Sequence, residues 1–181
     1  MANTTNRPES EEPLVQGQTD VMPWATALER LEHPAPAQNH WLATVRPDGR
    51  PHLMPIIAFW IDGAFHFLAR EGTRKGRNLA ADDRCVIGTG NLTTPSLDLI
   101  VEGRARPVTD EATVRRLVEE FGGKDWPLEA RGTDVYGPHG PTAGPPPYSI
   151  YRLETTKVFG LPGMHGMFDT DEWHEPTRWT F

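Results

Sequence analysis

Alternation of apolar and polar positions is the clearest signal in the chain, and its period changes along the way. Between Leu97 and Ala105, Leu97, Leu99 and Val101 alternate with Asp98, Ile100 and Glu102, the period of two expected of a half-buried strand. Segments at Trp41–Val45, His52–Trp60, Ala64–Ala69, Arg84–Gly88 and Tyr148–Phe159 predict further strands. Arg-Pro-Asp-Gly-Arg after Val45 is a hairpin signal with Gly49 at the positive-φ position, and Asp62-Gly63 predicts the next turn. Pro55 lies inside the second segment and offers no N–H to a ladder, so it requires an edge or a bulge.

Elsewhere the period lengthens. Val114, Leu117, Val118 and Phe121 form one face of a helix over Thr109–Phe121, capped by Thr109 or Asp110 and stopped by Gly122-Gly123. Pro23 opens a shorter helix carrying Trp24, Ala27, Leu28 and Leu31, ended by Pro34 and Pro36. It is expected to cover a barrel or to reach a partner subunit. A third, short helix starts near Thr73, with Leu79 and Ala80 as its first apolar anchors. The pattern predicts a mainly β fold with peripheral helices.

Three segments lack either period. Residues 1–20 are polar and are expected to be a disordered arm, leaving 21–181 as one domain. Residues 132–147 are dense in Gly and Pro, and a loop of that length is expected to border a ligand cleft. Beyond Phe159, Gly163–Phe168 and Thr177–Phe181 keep aromatic residues to the end, which predicts a docked terminus.

Composition narrows the function. The 181 residues carry a formal charge of −7, which argues against nucleic-acid binding. No apolar run approaches the ~18–20 residues that span a bilayer, and no signal-peptide pattern opens the chain. Cys85 is the single cysteine and is expected to be buried and inert. A cytoplasmic protein is the default reading. His139, His165 and His174 lack metal-ligand spacing, and neither a Gly-x-Ser-x-Gly elbow nor a Walker loop is present. The absence of an acid–base constellation suits an enzyme whose cofactor carries the chemistry.

The basic turn Gly72–Asp82 is the strongest chemical feature. Arg74, Lys75 and Arg77 crowd the first turn of a helix, where the dipole disfavours positive charge. An anion held there by the helix amides and the cations explains the arrangement; the alternative is a solvated basic turn. Two or three charge-assisted hydrogen bonds supply about 5–8 kcal/mol before ordering costs. Micromolar binding takes about 8 kcal/mol. A buried ring must supply the difference, and Met54–Phe59 is apolar enough to back one.

Gly49-Arg-Pro-His52, Pro55, Thr73-Arg74-Lys75, Arg77-Asn78-Leu79 and Val101-Glu102-Gly103 follow in order. This succession resembles the pyridoxamine 5′-phosphate oxidase-like split-barrel family, which includes flavin and deazaflavin reductases, over roughly residues 40–121. The resemblance implies an FMN-binding split β-barrel, a homodimer, and a flavin-type cofactor at the subunit interface. It places Met54, Pro55, Ile56, Ile57, Ala58 and Phe59 along the ring and Leu68 and Ala69 beside it. Thr73, Arg74 and Lys75 fall at the phosphate, with Arg77 and Asn78 following. Asp98 falls where the oxidases carry a cofactor-contacting Gln. No catalytic side chain and no metal site are implied.

Two departures bear on the activity. Met54 and Phe59 stand where the oxidases carry basic residues, and Thr177-Arg-Trp-Thr-Phe181 replaces their carboxy-terminal signature. Vitamin B6 oxidation is therefore disfavoured. The Thr-Arg-Lys-x-Arg-Asn-Leu form is closer to reductases using the deazaflavin coenzyme F-420, with FMN as the other candidate. The implied reaction is hydride transfer between that cofactor and a small unsaturated or aromatic substrate. Alternatives are a non-catalytic flavin-binding or storage module and an FMN oxidase of the parent kind. Tyr136, His139 and Trp126 are candidates for the substrate side, and Arg70 and Arg77 for the acidic tail of F-420. Trp41, Phe59 and Trp60 are expected to form an exposed patch that a second copy covers.

Overall fold

The computed structural model describes residues 7–34, 39–90, 97–122, 126–140, 143–162 and 175–181. In chain order the elements are β1 (Ser10–Pro13), α1 (Trp24–Glu32), β2 (Asn39–Val45), β3 (Pro51–Ile56), β4 (Ala58–Ile61), β5 (Ala64–Ala69) and α2 (Arg74–Ala81). They continue as β6 (Arg84–Gly90), β7 (Leu97–Pro107), α3 (Glu111–Gly122), β8 (Glu129–Arg131), β9 (Asp134–Tyr136), β10 (Ser149–Pro162) and β11 (Thr177–Thr180). The expected split β-barrel is the fold: a nine-stranded antiparallel sheet with helices at its periphery, plus the small β8–β9 hairpin.

β10 holds the barrel together. One of its edges pairs with β7 from Tyr151 to Pro162. The other takes β5 at its start, over Ser149–Arg152, and β11 at its end, over Lys157–Gly160. The sheet order β1-β11-β10-β7-β6-β2-β3 ends on β3, while β4 continues from β5. Side chains on the concave face alternate inward along each strand, and Leu42, Phe67, Ile87, Val101, Leu153 and Trp179 form the buried core. α1 covers it with Trp24, Ala27 and Leu31, and Trp24 meets Trp179 edge-on at 5.4 Å. A second cluster gathers Val114, Leu117, Val118 and Phe121 of α3 against Val135, Tyr148 and Ile150.

Turn chemistry sets two of the hairpins. Asp62 and Gly63 both have positive φ, 50° and 73°, which is the two-residue connection that matches strand twist between β4 and β5. Asp110 caps α3, accepting from the Thr113 amide at 2.7 Å.

The structure corrects three expectations. His52–Trp60 is two strands, because the chain changes neighbours at Ile57: β3 pairs with β2, and β4 with β5. Pro55 therefore sits on an edge, where its missing N–H costs no ladder bond. Ser10–Pro13, expected to be disordered, pairs with β11, and Glu12 meets Arg178. Backbone pairing to an open edge needs no apolar periodicity in the added strand, so the sequence carries no sign of it. The exposed patch also has other members. Phe59 lies against Phe121 at 4.7 Å and Trp60 against Phe65 at 5.1 Å, whereas Trp41, Leu53 and Ile57 are the exposed ones. Thr177–Phe181 is docked, with Trp179 fully buried; the expected tail at 163–168 lies outside the described residues.

No helix among the described residues is long and apolar enough to cross a membrane.

Candidate functional site

α2 is built to present its own first turn. Thr73 Oγ1 accepts from the Gly76 amide at 3.1 Å and donates to the Arg70 carbonyl at 2.7 Å. A Cβ on Gly76 would fall 2.2 Å from the Arg70 carbonyl oxygen, so only glycine lets the turn sit this close to the end of β5. The amides of Arg74 and Lys75 belong to the stretch of a helix that has no internal acceptors. Asn78 and Leu79 point the other way and are buried; Asn78 Nδ2 donates to Thr44 Oγ1 at 2.9 Å, which fixes the helix on β2.

Arg74 and Arg77 are exposed, while Lys75 is half-buried. Burial pushes the Lys75 ammonium below its usual range. Among the described residues, no carboxylate lies within salt-bridge distance of Arg74 or Lys75. A desolvated cation without a counter-charge suits an anionic ligand.

Lys75 opens onto a cleft of about 320 Å³. Pro55, Ile56 and Ile57 form one wall, where β3 ends at the sheet edge, and Leu68 of β5 lies behind them. Trp126, Gly140, Ala143 and Tyr148 complete the lining. The cleft is apolar with a single charged group, as expected of a planar ring with an anionic chain.

The structure brings only some of the predicted residues together. Pro55, Ile56, Ile57, Leu68 and Lys75 come together in the cleft, joined by Trp126. Met54 faces inward opposite Leu42, and Ala58 and Ala69 belong to the core. Phe59 faces α3. Thr73 is the cap, and Arg77 Nη1 donates to the Gly72 carbonyl at 2.9 Å beside it. Asn78 ties helix to sheet and does not reach the cleft. Asp98 pairs with Leu161 at the start of β7, with β6 and β2 between it and β3, and lies apart from this cleft. Tyr136 sits under the Arg131 guanidinium at 4.5 Å, and His139 is exposed. Cys85 is buried, its thiol pushed up to about 12 by desolvation.

The Gly/Pro-rich loop borders the cleft through Gly140 and Ala143, as its length suggested. Tyr148 and Arg70 are the residues missed for their part in it. Tyr148 carries the loop's hydrogen bonds on its hydroxyl, and Arg70 Nε donates to the Ala143 carbonyl at 3.0 Å. Arg70 thus faces the loop rather than a ligand tail. His52 joins the basic region as well. Its ring is neutral-leaning, lowered first by burial and then by Arg46, Arg74 and Lys75, and Nδ1 lies 3.4 Å from Thr44 Oγ1.

A family model described as pyridoxamine 5′-phosphate oxidase matches residues 34–160, more than two thirds of the chain. No curated protein matches in sequence. A putative pyridoxamine 5′-phosphate oxidase from Listeria innocua superposes with a TM-score of 0.56 at 18% identity, covering 77% of this chain and 98% of that one. General Stress Protein 26 from Bacillus anthracis does so at 0.55 and 16%, covering 78% and 97%. An F-420 reductase reaches 0.51 at 23% identity, covering 71% and 91%. At such identities the likeness establishes the fold.

Proposed function

The chain belongs to the pyridoxamine 5′-phosphate oxidase family, and on that premise we propose that it is an oxidoreductase using the deazaflavin coenzyme F-420, or FMN, to reduce or oxidise a small unsaturated or aromatic substrate. The observation that carries this reading is Lys75: a half-buried cation without a carboxylate partner among the described residues, at the rim of an apolar cleft.

Lys75, Arg74 and the first-turn amides of α2 hold the cofactor's phosphate in this reading, and Pro55, Ile56, Ile57 and Leu68 back its ring. The bound cofactor supplies hydride transfer. The chain's residues bind and orient the ring and keep water from one of its faces. Tyr148 is the cleft's hydroxyl, but its hydrogen bonds go to the loop, so protonation falls to water. Met54 and Phe59 point away from the cleft, and neither carries the basic group that the oxidases have at these places to hold the substrate phosphate or the cofactor.

A homodimer belongs to the same proposal. Directly paired residues share a face, so Phe159, Ile100, Gly88, Trp41 and Pro55 run as one row across five strands on the outer side of the sheet. Ala43, Val86 and Leu53 lie beside it. A second copy covering this row would bury Trp41 and Leu53, which are 44% and 58% exposed in the single chain.

Titration with FMN and with F-420, followed by absorbance and then by turnover with the reduced cofactor, tests the reading. Binding without turnover on any acceptor favours a flavin-holding module; binding of neither overturns the proposal.

A further inference from the structure

Arg70 and Tyr148 grip one short piece of chain from two directions. Arg70 follows β5 directly. Its Nε donates to the Ala143 carbonyl at 3.0 Å, and a Cβ on Gly144 would lie 3.3 Å from Nη2, so the guanidinium rests against the loop backbone. The same residue's carbonyl accepts from the amide and hydroxyl of Thr73, at 3.0 and 2.7 Å, and so supports the cap of α2. Tyr148 is 3% exposed, and its hydroxyl accepts from the Gly140 amide at 3.2 Å. It lies 2.6 Å from the Gly144 carbonyl and 3.1 Å from that of Pro138, and its single proton goes to the nearer one.

Gly140 and Ala143 form part of the cleft wall, and their own bonds are short-range: Ala143 and Gly144 donate to the Gly140 carbonyl at 3.2 and 3.3 Å. Outside any helix or long strand, bonds of this short range do not by themselves place Gly140, Ala143 and Gly144. We propose that Arg70 and Tyr148 are positioning residues which fix this wall to the anion-binding turn and thereby set how long a bound ring stays. The inference rests on the cleft being a flavin-type cofactor site. Arg70 acts here through a neutral carbonyl and not as a counter-charge to the ligand, although its charge alone would suggest the second role.

Arg70→Met and Tyr148→Phe test this by stopped-flow binding of FMN and of F-420 and by amide exchange. Each variant is expected to release the cofactor about tenfold faster with little change in association rate. The double variant is expected to lose less than the product of the two, because both hold one wall. Ionic strength separates the roles. The salt dependence of affinity flattens less for Arg70→Met than for Lys75→Ala, because the Lys75 side chain lines the cleft whereas Arg70 Nε is turned to the Ala143 carbonyl. Without ligand, the Ala143 and Gly144 amides exchange faster in both single variants. Unchanged release rates, or a salt dependence flattened as far in Arg70→Met as in Lys75→Ala, would overturn the proposal. Failure of the wild type to bind either ring sinks the cofactor reading and the residence role with it; unchanged amide exchange sinks the anchoring alone.

Discussion

Asn78 donates from Nδ2 to Oγ1 of Thr44 at 2.9 Å, and both side chains are buried, at 0% and 2% exposed. One hydrogen bond thus joins α2, whose other end carries the cations, to β2 in the middle of the sheet. Asn78→Ala leaves the Thr44 hydroxyl without that donor and opens space under the helix. The expected cost is about 1–3 kcal/mol of stability, read as a lower urea midpoint, while the folded fraction keeps its affinity for FMN or F-420. An unchanged midpoint with lost binding would return Asn78 to the ligand.

Lys75 sets function against stability. Its ammonium is desolvated and unpaired among the described residues, so Lys75→Met should raise the stability of the ligand-free protein, by about 0.5–1 kcal/mol. The same change removes the charge from the cleft and is expected to weaken cofactor binding by about 1.5–3 kcal/mol, one to two decades. Arg74→Ala is expected to weaken binding similarly with little effect on the melt, since Arg74 is exposed. Binding as tight as wild type in either variant would dismiss the anion site.

These two residues show what the sequence could and could not reveal. Asn78 and Lys75 stand three apart on one side of a polar-looking turn, and only packing decides that Asn78 bonds to β2 while Lys75 borders the cleft. The strands with strict alternation, such as Leu97–Ala105, were legible because period two marks burial without knowledge of the partner strand. The break at Ile57 was not, since a switch of hydrogen-bonding neighbours leaves no compositional mark. Ala69 and Phe59 were placed at the cofactor with their neighbours, yet parity turns alternate residues of a strand to opposite faces. Tyr148 was read as a strand start because its role depends on a loop that folds back onto its hydroxyl.

His66 gives the fold an acid limit. It lies on β5 between Phe59 and Arg152, 3% exposed, with Nδ1 unbonded and a pKa lowered to about 4, first by burial and then by the Arg152 charge. Below the unfolded value near 6.5 the unfolded chain takes a proton that the folded ring refuses. Stability is therefore complete above pH 6.5 and falls as pH drops toward 4. Between pH 7.5 and 4.5 this one group is expected to account for roughly 2–3 kcal/mol. His66→Phe should remove that share of the pH dependence, measured by urea unfolding at both values; an identical slope in the variant would assign the loss elsewhere.

The outer face offers a direct test of assembly. Trp41 and Leu53 project from neighbouring strands, and charges placed there would meet their own copies across a two-fold interface. Light scattering at micromolar concentration is expected to give a dimer of about 40 kDa for the 20.2 kDa chain. Trp41→Glu with Leu53→Glu should give a folded monomer. A wild-type monomer that binds cofactor fully would dismiss the dimer.

Cofactor choice turns on what lies beyond the first phosphate. FMN ends there, whereas F-420 continues into a lactyl-glutamate tail with several carboxylates, so the basic turn alone does not discriminate between them. Arg70 is committed to Ala143, which leaves Arg77 and Arg74 as the exposed charges along the helix. They stand three residues apart on one face, and the Arg77 guanidinium is held beside Gly72 by its bond to that carbonyl. A solvent-exposed ion pair there is worth roughly 0.2–1 kcal/mol, so reversing the charge should cost about 1 kcal/mol, near fivefold in affinity. Equilibrium titration is expected to favour F-420 over FMN in the wild type. Arg77→Glu should narrow that preference, and more so at low salt than at high salt. Tighter binding of FMN by the wild type, or an equal loss for both cofactors in Arg77→Glu, would turn the assignment to FMN.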